Sequence, residues 1–146
     1  MTYRFTTSLP YLLNRLGVRF GELFAIRLQD YELTLPMYRV MAVLHQEGKQ
    51  SLGDLSVMCS IELSTLSRLI GTLTKRELVS RVRVEDNARM VHIDLTSQGK
   101  TLIQELLPIA AEFEQISTAS FSEDEMQWLK KALTQMSEDL EKLSAN

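Results

Sequence analysis

Hydrophobic positions along this chain recur with two different periods, and the change from one to the other marks its centre. Between Ser51 and Thr96 the pattern begins with Leu52, Leu55 and Met58, a short amphipathic stripe. Ser51 with Asp54 three residues on predicts a reciprocal N-terminal cap. A break follows at Cys59-Ser60-Ile61. A second stripe, Leu63, Leu66, Leu69, Ile70 and Leu73, then predicts a helix that turns Ser64, Thr65, Ser67 and Arg68 outward. Beyond it the period drops to two. Val82 and Val84 alternate with Arg81 and Arg83, and Val91, Ile93 and Leu95 alternate with Met90, His92 and Asp94. The polar run Glu85-Asp86-Asn87-Ala88-Arg89 separates the two sets as a turn. The order helix, turn, helix, two-stranded hairpin predicts a winged helix-turn-helix.

The flanks are helical. A helix starts at Ser8, with Pro10 in its first turn and Leu9, Leu12, Leu13, Leu16, Phe20, Leu23, Phe24 and Leu28 on one face. That face is wide enough to serve both a core and a partner subunit. Gly17 and Gly21 within it offer a close approach to another helix. Thr34 and Pro36 open a second helix through Tyr38, Met41, Val43 and Leu44, which stops at Glu47-Gly48-Lys49. Thr96 caps a long helix carrying Leu102, Ile103, Leu106, Ile109, Phe113 and Ile116, with a kink or a lost hydrogen bond expected at Pro108. Ser122 and Glu125 form a capping box for the last helix. Its Met126, Leu129, Leu133, Met136, Leu140 and Leu143 alternate spacings of three and four, the pattern of a seam for a partner helix.

The expectation is one mainly α domain with a small β-hairpin wing (α+β) over residues 1–146. Its winged helix-turn-helix covers about 34–96, and dimerisation helices cover about 8–31 and 97–145.

Charge sharpens this picture. The whole chain carries a formal −3, so no global basicity draws it to nucleic acid. From Ser64 to His92, however, six Lys/Arg face three acids, whereas from Thr101 onward three Lys face nine acids. The basic patch coincides with the helix and hairpin that present polar groups. Small hydroxyls and one arginine at a helix N-terminus suit a major-groove floor and its phosphates. Arg81, Arg83 and Arg89 on a thin projection suit an adjacent backbone or minor groove. Double-stranded DNA is the expected partner, a protein-docking module the alternative. No apolar run is long enough to span a bilayer, the N-terminus lacks a secretory pattern, and one cysteine rules out an intrachain disulfide framework. A cytoplasmic location is the expectation.

The sequence resembles the MarR family of bacterial transcriptional regulators over nearly its whole length. The resemblance is carried by Arg89-Met90-Val91-His92-Ile93-Asp94-Leu95-Thr96-Ser97-Gln98-Gly99, a wing running into a capped helix. Leu63-Ser64-Thr65-Leu66-Ser67-Arg68-Leu69-Ile70 is similar to the family's recognition helix, Leu78-Val79-Ser80-Arg81 to its turn into the wing, and Thr34 through Met41 to the opening of its second helix. The pattern departs at Asn87, where the family usually has an acid two residues before the wing arginine. Support for Arg89 then falls to Asp86 through a different turn, or to Asn87 by a neutral hydrogen bond.

The resemblance implies a homodimer whose two winged units enter successive major grooves, with half-sites about 34–36 Å apart. It further implies a palindromic operator and a small effector, commonly a phenolic or aromatic carboxylate. Candidate effector residues are Tyr11 and Arg15 on the first helix, with Arg19 one turn further, and Tyr38 and Arg39 on the second. An aromatic acid needs an apolar slot closed by a guanidinium that pairs with the carboxylate. Arg15 with Tyr38 fits that chemistry, against the plainer reading of amphipathic tyrosines and solvated arginines.

Cys59, flanked by Met58 and Ile61, reads as a small buried hydrophobe rather than a redox switch. His45 and His92 lie on different elements without metal-ligand spacing. There is no phosphate loop and no nucleophile–base motif. A regulator without cofactor or catalytic site is expected.

Overall fold

The computed structural model describes residues 2–84 and 87–145, giving the backbone alone over 87–89. Helix α1 (Leu9–Leu28) is followed by α2 (Leu35–Glu47), β1 (Gln50–Ser51), α3 (Leu52–Cys59) and α4 (Leu63–Lys75). Strands β2 (Val79–Val84) and β3 (Asn87–Leu95) come next, then α5 (Ser97–Thr118) and α6 (Glu123–Ser144). The chain divides into two compact units, one up to Ala110 and one from Ala111.

In the first unit the helix starts obey local chemistry. Ser8, Thr34 and Ser51 each accept a hydrogen bond from a backbone N–H in the first turn, at 3.4, 3.4 and 3.1 Å. Proline occupies the first turn of α1 and α2, where its missing N–H costs nothing. Gly48, at φ 77°, closes α2; Ser60, at φ 53°, closes α3. Of the reciprocal cap expected at Ser51 and Asp54, the Ser51 half is present: its hydroxyl accepts from the Asp54 amide.

The sheet corrects two expectations. It has three strands in the order β1-β3-β2 rather than two, because Gln50 and Ser51 pair antiparallel with Ile93 and His92. Asn87, Ala88 and Arg89 lie in β3 rather than in the turn, and the ladder shifts register between Arg83 and Val84. The core of the unit forms where one face of this sheet meets the helices. Leu28, Met41, Leu44, Leu55, Leu66 and Ile103 are all essentially inaccessible, as are Val79 and Ile93 from the sheet. Closure of such aliphatic side chains contributes roughly 1.5–3 kcal/mol each.

Two close approaches hold the helices to this frame. A Cβ on Gly21 would come within 2.9 Å of a Leu35 methyl, so the expected close approach of a second helix occurs there, between α1 and α2. A Cβ on Gly17 would meet nothing within 4 Å. At the start of α5 the Thr96 hydroxyl accepts from the Gly99 amide at 3.0 Å and donates to the Glu77 carbonyl at 2.6 Å. One side chain thereby caps α5 and ties it to the turn that leaves α4. Helix α5 runs unbroken through Pro108, which removes one amide donor from the helical ladder.

The second unit consists of the end of α5 and α6. The Ser122–Glu125 capping box is complete, with Ser122 N donating to Glu125 at 2.7 Å and Glu125 N donating to Ser122 Oγ at 3.1 Å. Lys130 pairs with Glu114 across the turn. The apolar seam of α6 stays open: Leu143 is 72% exposed, and no described residue of the helix is buried. No helix among the described residues is long and apolar enough to cross a membrane.

Candidate nucleic-acid interface

Helix α4 is set by its inner face. Leu66, Ile70 and Leu73 are fully buried, each about one helical turn from the next, and this fixes the rotation of the helix about its axis. Ser64, Thr65, Ser67 and Arg68 are consequently exposed, as their spacing predicts. Leu63 departs from expectation. The helical stripe places it inward, but it is 50% exposed, and the buried part of the stripe begins at Leu66.

The turn into α4 is tightly specified. Ser56 Oγ donates to the Ile61 carbonyl at 2.6 Å, and the Ile61 amide returns a bond to the Ser56 carbonyl at 3.1 Å. Glu62 is the N-cap, yet its side chain makes no capping bond. Its carboxylate instead accepts from Ser64 Oγ at 3.1 Å, both residues being exposed. Glu62 precedes the basic stretch that starts at Ser64, and no periodicity in the sequence marks it out.

The wing places Arg81 opposite Ile93 and Arg83 opposite Val91, with Val82 opposite His92. Directly paired residues share a face of the sheet. Arg81 and Arg83 therefore extend the face whose base, Val79 and Leu95, is buried. Val82 lies on the other face and is 38% exposed. Both arginines are exposed, and stems of this length can cover apolar surface while the charge stays in water. The Arg89 side chain, the Asn87 side chain and Asp86 lie outside the described residues, and with them the two readings of how the wing arginine is supported.

Arg76 belongs to the basic run but is half-buried and engaged within the fold. Its guanidinium donates to the Tyr31 and Glu32 carbonyls at 3.1 and 2.5 Å. Those are backbone acceptors at the α1–α2 turn, where Glu32 has φ 53°. Arg76 thus ties the end of α4 to that turn.

The four candidate effector residues fall into two pairs. Arg15 donates to the Tyr11 hydroxyl at 3.3 Å and sits 5.8 Å from its ring centroid, while Phe5 meets the same ring edge-on at 5.0 Å. Tyr38 packs edge-on against Phe24 at 4.6 Å, and burial pushes its hydroxyl pKa up. Tyr38 and Arg39 line an open cleft of about 470 Å³ with Ala42, Val43, Met58, Cys59 and Ser60. No hydrogen bond or ring contact among the described residues joins Arg15 to Tyr38. Cys59 is 6% exposed. Burial raises its thiol pKa, against a smaller lowering by the Arg39 charge, so the thiolate is scarce at neutral pH.

With this geometry in hand, likeness to known proteins is decisive. The family model for the transcriptional regulators SarA/Rot matches residues 22–106, more than half the chain. The chain belongs to this family. Its fold is the winged helix of MarR-type regulators. It is similar to a Bacillus subtilis HTH-type transcriptional regulator, YsmB, at 29% identity over 115 residues, 79% of each chain. Among solved structures it is similar to a MarR family regulator from Silicibacter pomeroyi, with a TM-score of 0.85, 25% identity and coverage of 90% and 89% of the two chains. It is also similar to Bordetella bronchiseptica BpsR, whose DNA binding is regulated by 6-hydroxynicotinic acid (TM-score 0.81, 26% identity, coverage 94% and 98%). The chain is a DNA-binding transcriptional regulator of the SarA/Rot and MarR type. Its family and fold are those of regulators rather than enzymes.

Proposed function

We propose that this regulator acts as a homodimeric repressor of a palindromic operator, reading it with α4 and the wing. The observation that carries this reading is that exposed polar faces and exposed apolar faces fall on different elements. The polar face of α4 (Ser64, Thr65, Ser67, Arg68) and the wing arginines Arg81 and Arg83 are open on one set of elements. In the same unit the leucines of the first half of α1 are open, and in the second unit the seam of α6 is open. A monomer leaves each of these apolar faces in water, whereas pairing two copies covers them. A two-fold dimer then presents two identical reading heads, and a palindrome is the DNA counterpart of that symmetry. Hydroxyls on α4 read base edges; Arg68, Arg81, Arg83 and Arg89 neutralise phosphates.

An aromatic acid, or its thioester, is the effector class that fits. The Tyr38–Arg39 cleft joins an aromatic ring, a guanidinium and apolar walls, and its volume suits a small ligand. The regulation of BpsR by 6-hydroxynicotinic acid supports an acid of this kind. Such an acid bound beside α3 would act on the element that leads into α4. Tyr11 and Arg15 form the alternative seat, at the start of α1.

The test is a mobility shift on an operator selected from random duplexes, repeated with 6-hydroxynicotinic and other aromatic acids. A discrete shift at dimer stoichiometry, reversed by one of these acids, is the expected result. Binding that no aromatic acid alters counts against the effector; binding of one chain per site counts against the dimer.

A further inference from the structure

We infer that Glu62 is a specificity-determining residue of the reading head and accepts a hydrogen bond from a cytosine amino group in the major groove. This rests on the reading of α4 as the helix that enters the groove.

An acid on a DNA-facing turn is electrostatically unfavourable, since it repels the same phosphates that Arg68 and the wing arginines attract. A common compensation for an acid at a helix start is capping of the first-turn amides, but Glu62 makes no side-chain cap bond. The carboxylate is exposed and is engaged from one side by the Ser64 hydroxyl at 3.1 Å. Ser64 lies on the outward face of α4, so this bond draws the carboxylate toward that face rather than back over the α3–α4 turn. Four oxygen lone-pair positions exist on a carboxylate, and one hydroxyl occupies one of them. The remainder need donors. Desolvated against a base pair, the group is tolerated only where a donor meets it.

In the major groove the donors are the exocyclic amines of cytosine and adenine. Adenine sets its N7 acceptor beside N6, which repels the second carboxylate oxygen. Cytosine sets a carbon beside N4 and does not. The acid therefore selects C·G over the other pairs at one position in each half-site. It also lowers affinity for DNA in general, because its charge opposes every phosphate nearby. Ser64 acts as a positioning residue for that carboxylate.

The experiment compares the full chain with Glu62→Ala and Glu62→Gln by selection from random duplexes and by titration of the selected operator and an unrelated duplex. Thermal melting confirms that each variant is folded. Glu62→Ala is expected to bind the unrelated duplex several-fold more tightly and to lose the cytosine preference at one base pair per half-site. The discrimination lost there is roughly five- to a hundredfold. Glu62→Gln is expected to shift the preference at that position toward adenine, which an amide can bind in two-point fashion. Ser64→Ala is expected to weaken discrimination at the same base pair, with Ser64→Thr restoring it. Tighter binding of both Glu62 variants with base preferences unchanged at every position overturns the inference and leaves the acid as a charge brake alone. A wild-type chain without any base preference overturns the sequence-specific reading as well, so the two failures are distinct.

Discussion

Gly99 lies so close to Leu78 that a Cβ on it would stand 2.1 Å from the Leu78 carbonyl oxygen. That carbonyl already accepts the Thr96 amide at 3.1 Å, so it cannot swing aside without releasing the cap of α5. The start of α5 and the exit from α4 are thereby locked in register behind the recognition helix. Gly99→Ala is expected to destabilise the protein by about 3 kcal/mol, the upper range for forced overpacking. Thr96→Ala removes a cap and a tie to Glu77, for about 1–2 kcal/mol. Denaturant titration checks both. A Gly99→Ala variant of unaltered stability contradicts this packing.

In the proposed reading the wing arginines are phosphate contacts. Replacing Arg83 by Ala is expected to weaken binding to every duplex alike and to reduce the slope of log affinity against log salt by about one. Arg81→Ala behaves similarly. Thr65 and Ser67 changes, by contrast, are expected to alter which sequences are bound. Titrations at several salt concentrations on operator and unrelated duplexes separate the two kinds of loss, and equal losses from both contradict the division between wing and helix.

Arg76 shows why a basic run is not a basic surface. Its two bonds to backbone carbonyls of the α1–α2 turn predict that Arg76→Ala lowers stability, with roughly 1.5–3 kcal/mol lost per charged hydrogen bond at most, while the salt slope is unchanged. A reduced salt slope at undiminished stability places Arg76 on DNA instead.

Alkaline pH weakens the fold through two groups. Cys59 and Tyr38 both have pKa values raised by burial above ordinary values of 9.0 and 10.0. Each acid is therefore held protonated more firmly in the native state than in the unfolded chain. The resulting stability is complete below pH 9, and it declines as pH rises through these ordinary values toward the raised ones. Melting from pH 7 to 11 is expected to show the decline, with Tyr38→Phe flattening its upper part. Over the same range Cys59 reacts slowly with an alkylating agent in the native protein and rapidly after denaturation. Fast native alkylation at pH 7 contradicts the buried thiol.

What sequence made legible was local. Thr34, Ser51, Thr96 and the Ser122–Glu125 pair act within four residues of the helix they start, and the buried faces follow from periodicity alone. Non-local facts escaped. Strand β1 is two residues long and exists only because Gln50 and Ser51 meet Ile93 and His92, 43 and 41 residues further along the chain. The length of β3 is set by a register shift that no alternation announces. Leu63 looked inward because the helical stripe includes it, yet stripes do not tell where the packed neighbours stop. Residue type alone pairs Arg15 with Tyr38, whereas in space Arg15 turns to Tyr11 on its own helix. At the reading head the four outward residues of α4 were legible, whereas Glu62 carried no signal beyond its place before the helix.

The most direct measurement is hydroxyl-radical footprinting of the purified chain on its selected operator, with the mass of the complex taken by sedimentation. Two protected half-sites about 34–36 Å apart on one face of the duplex, under two copies of the chain, are the predicted result. A single protected segment under one copy, or no protection at low salt, contradicts the paired reading heads on which this account depends.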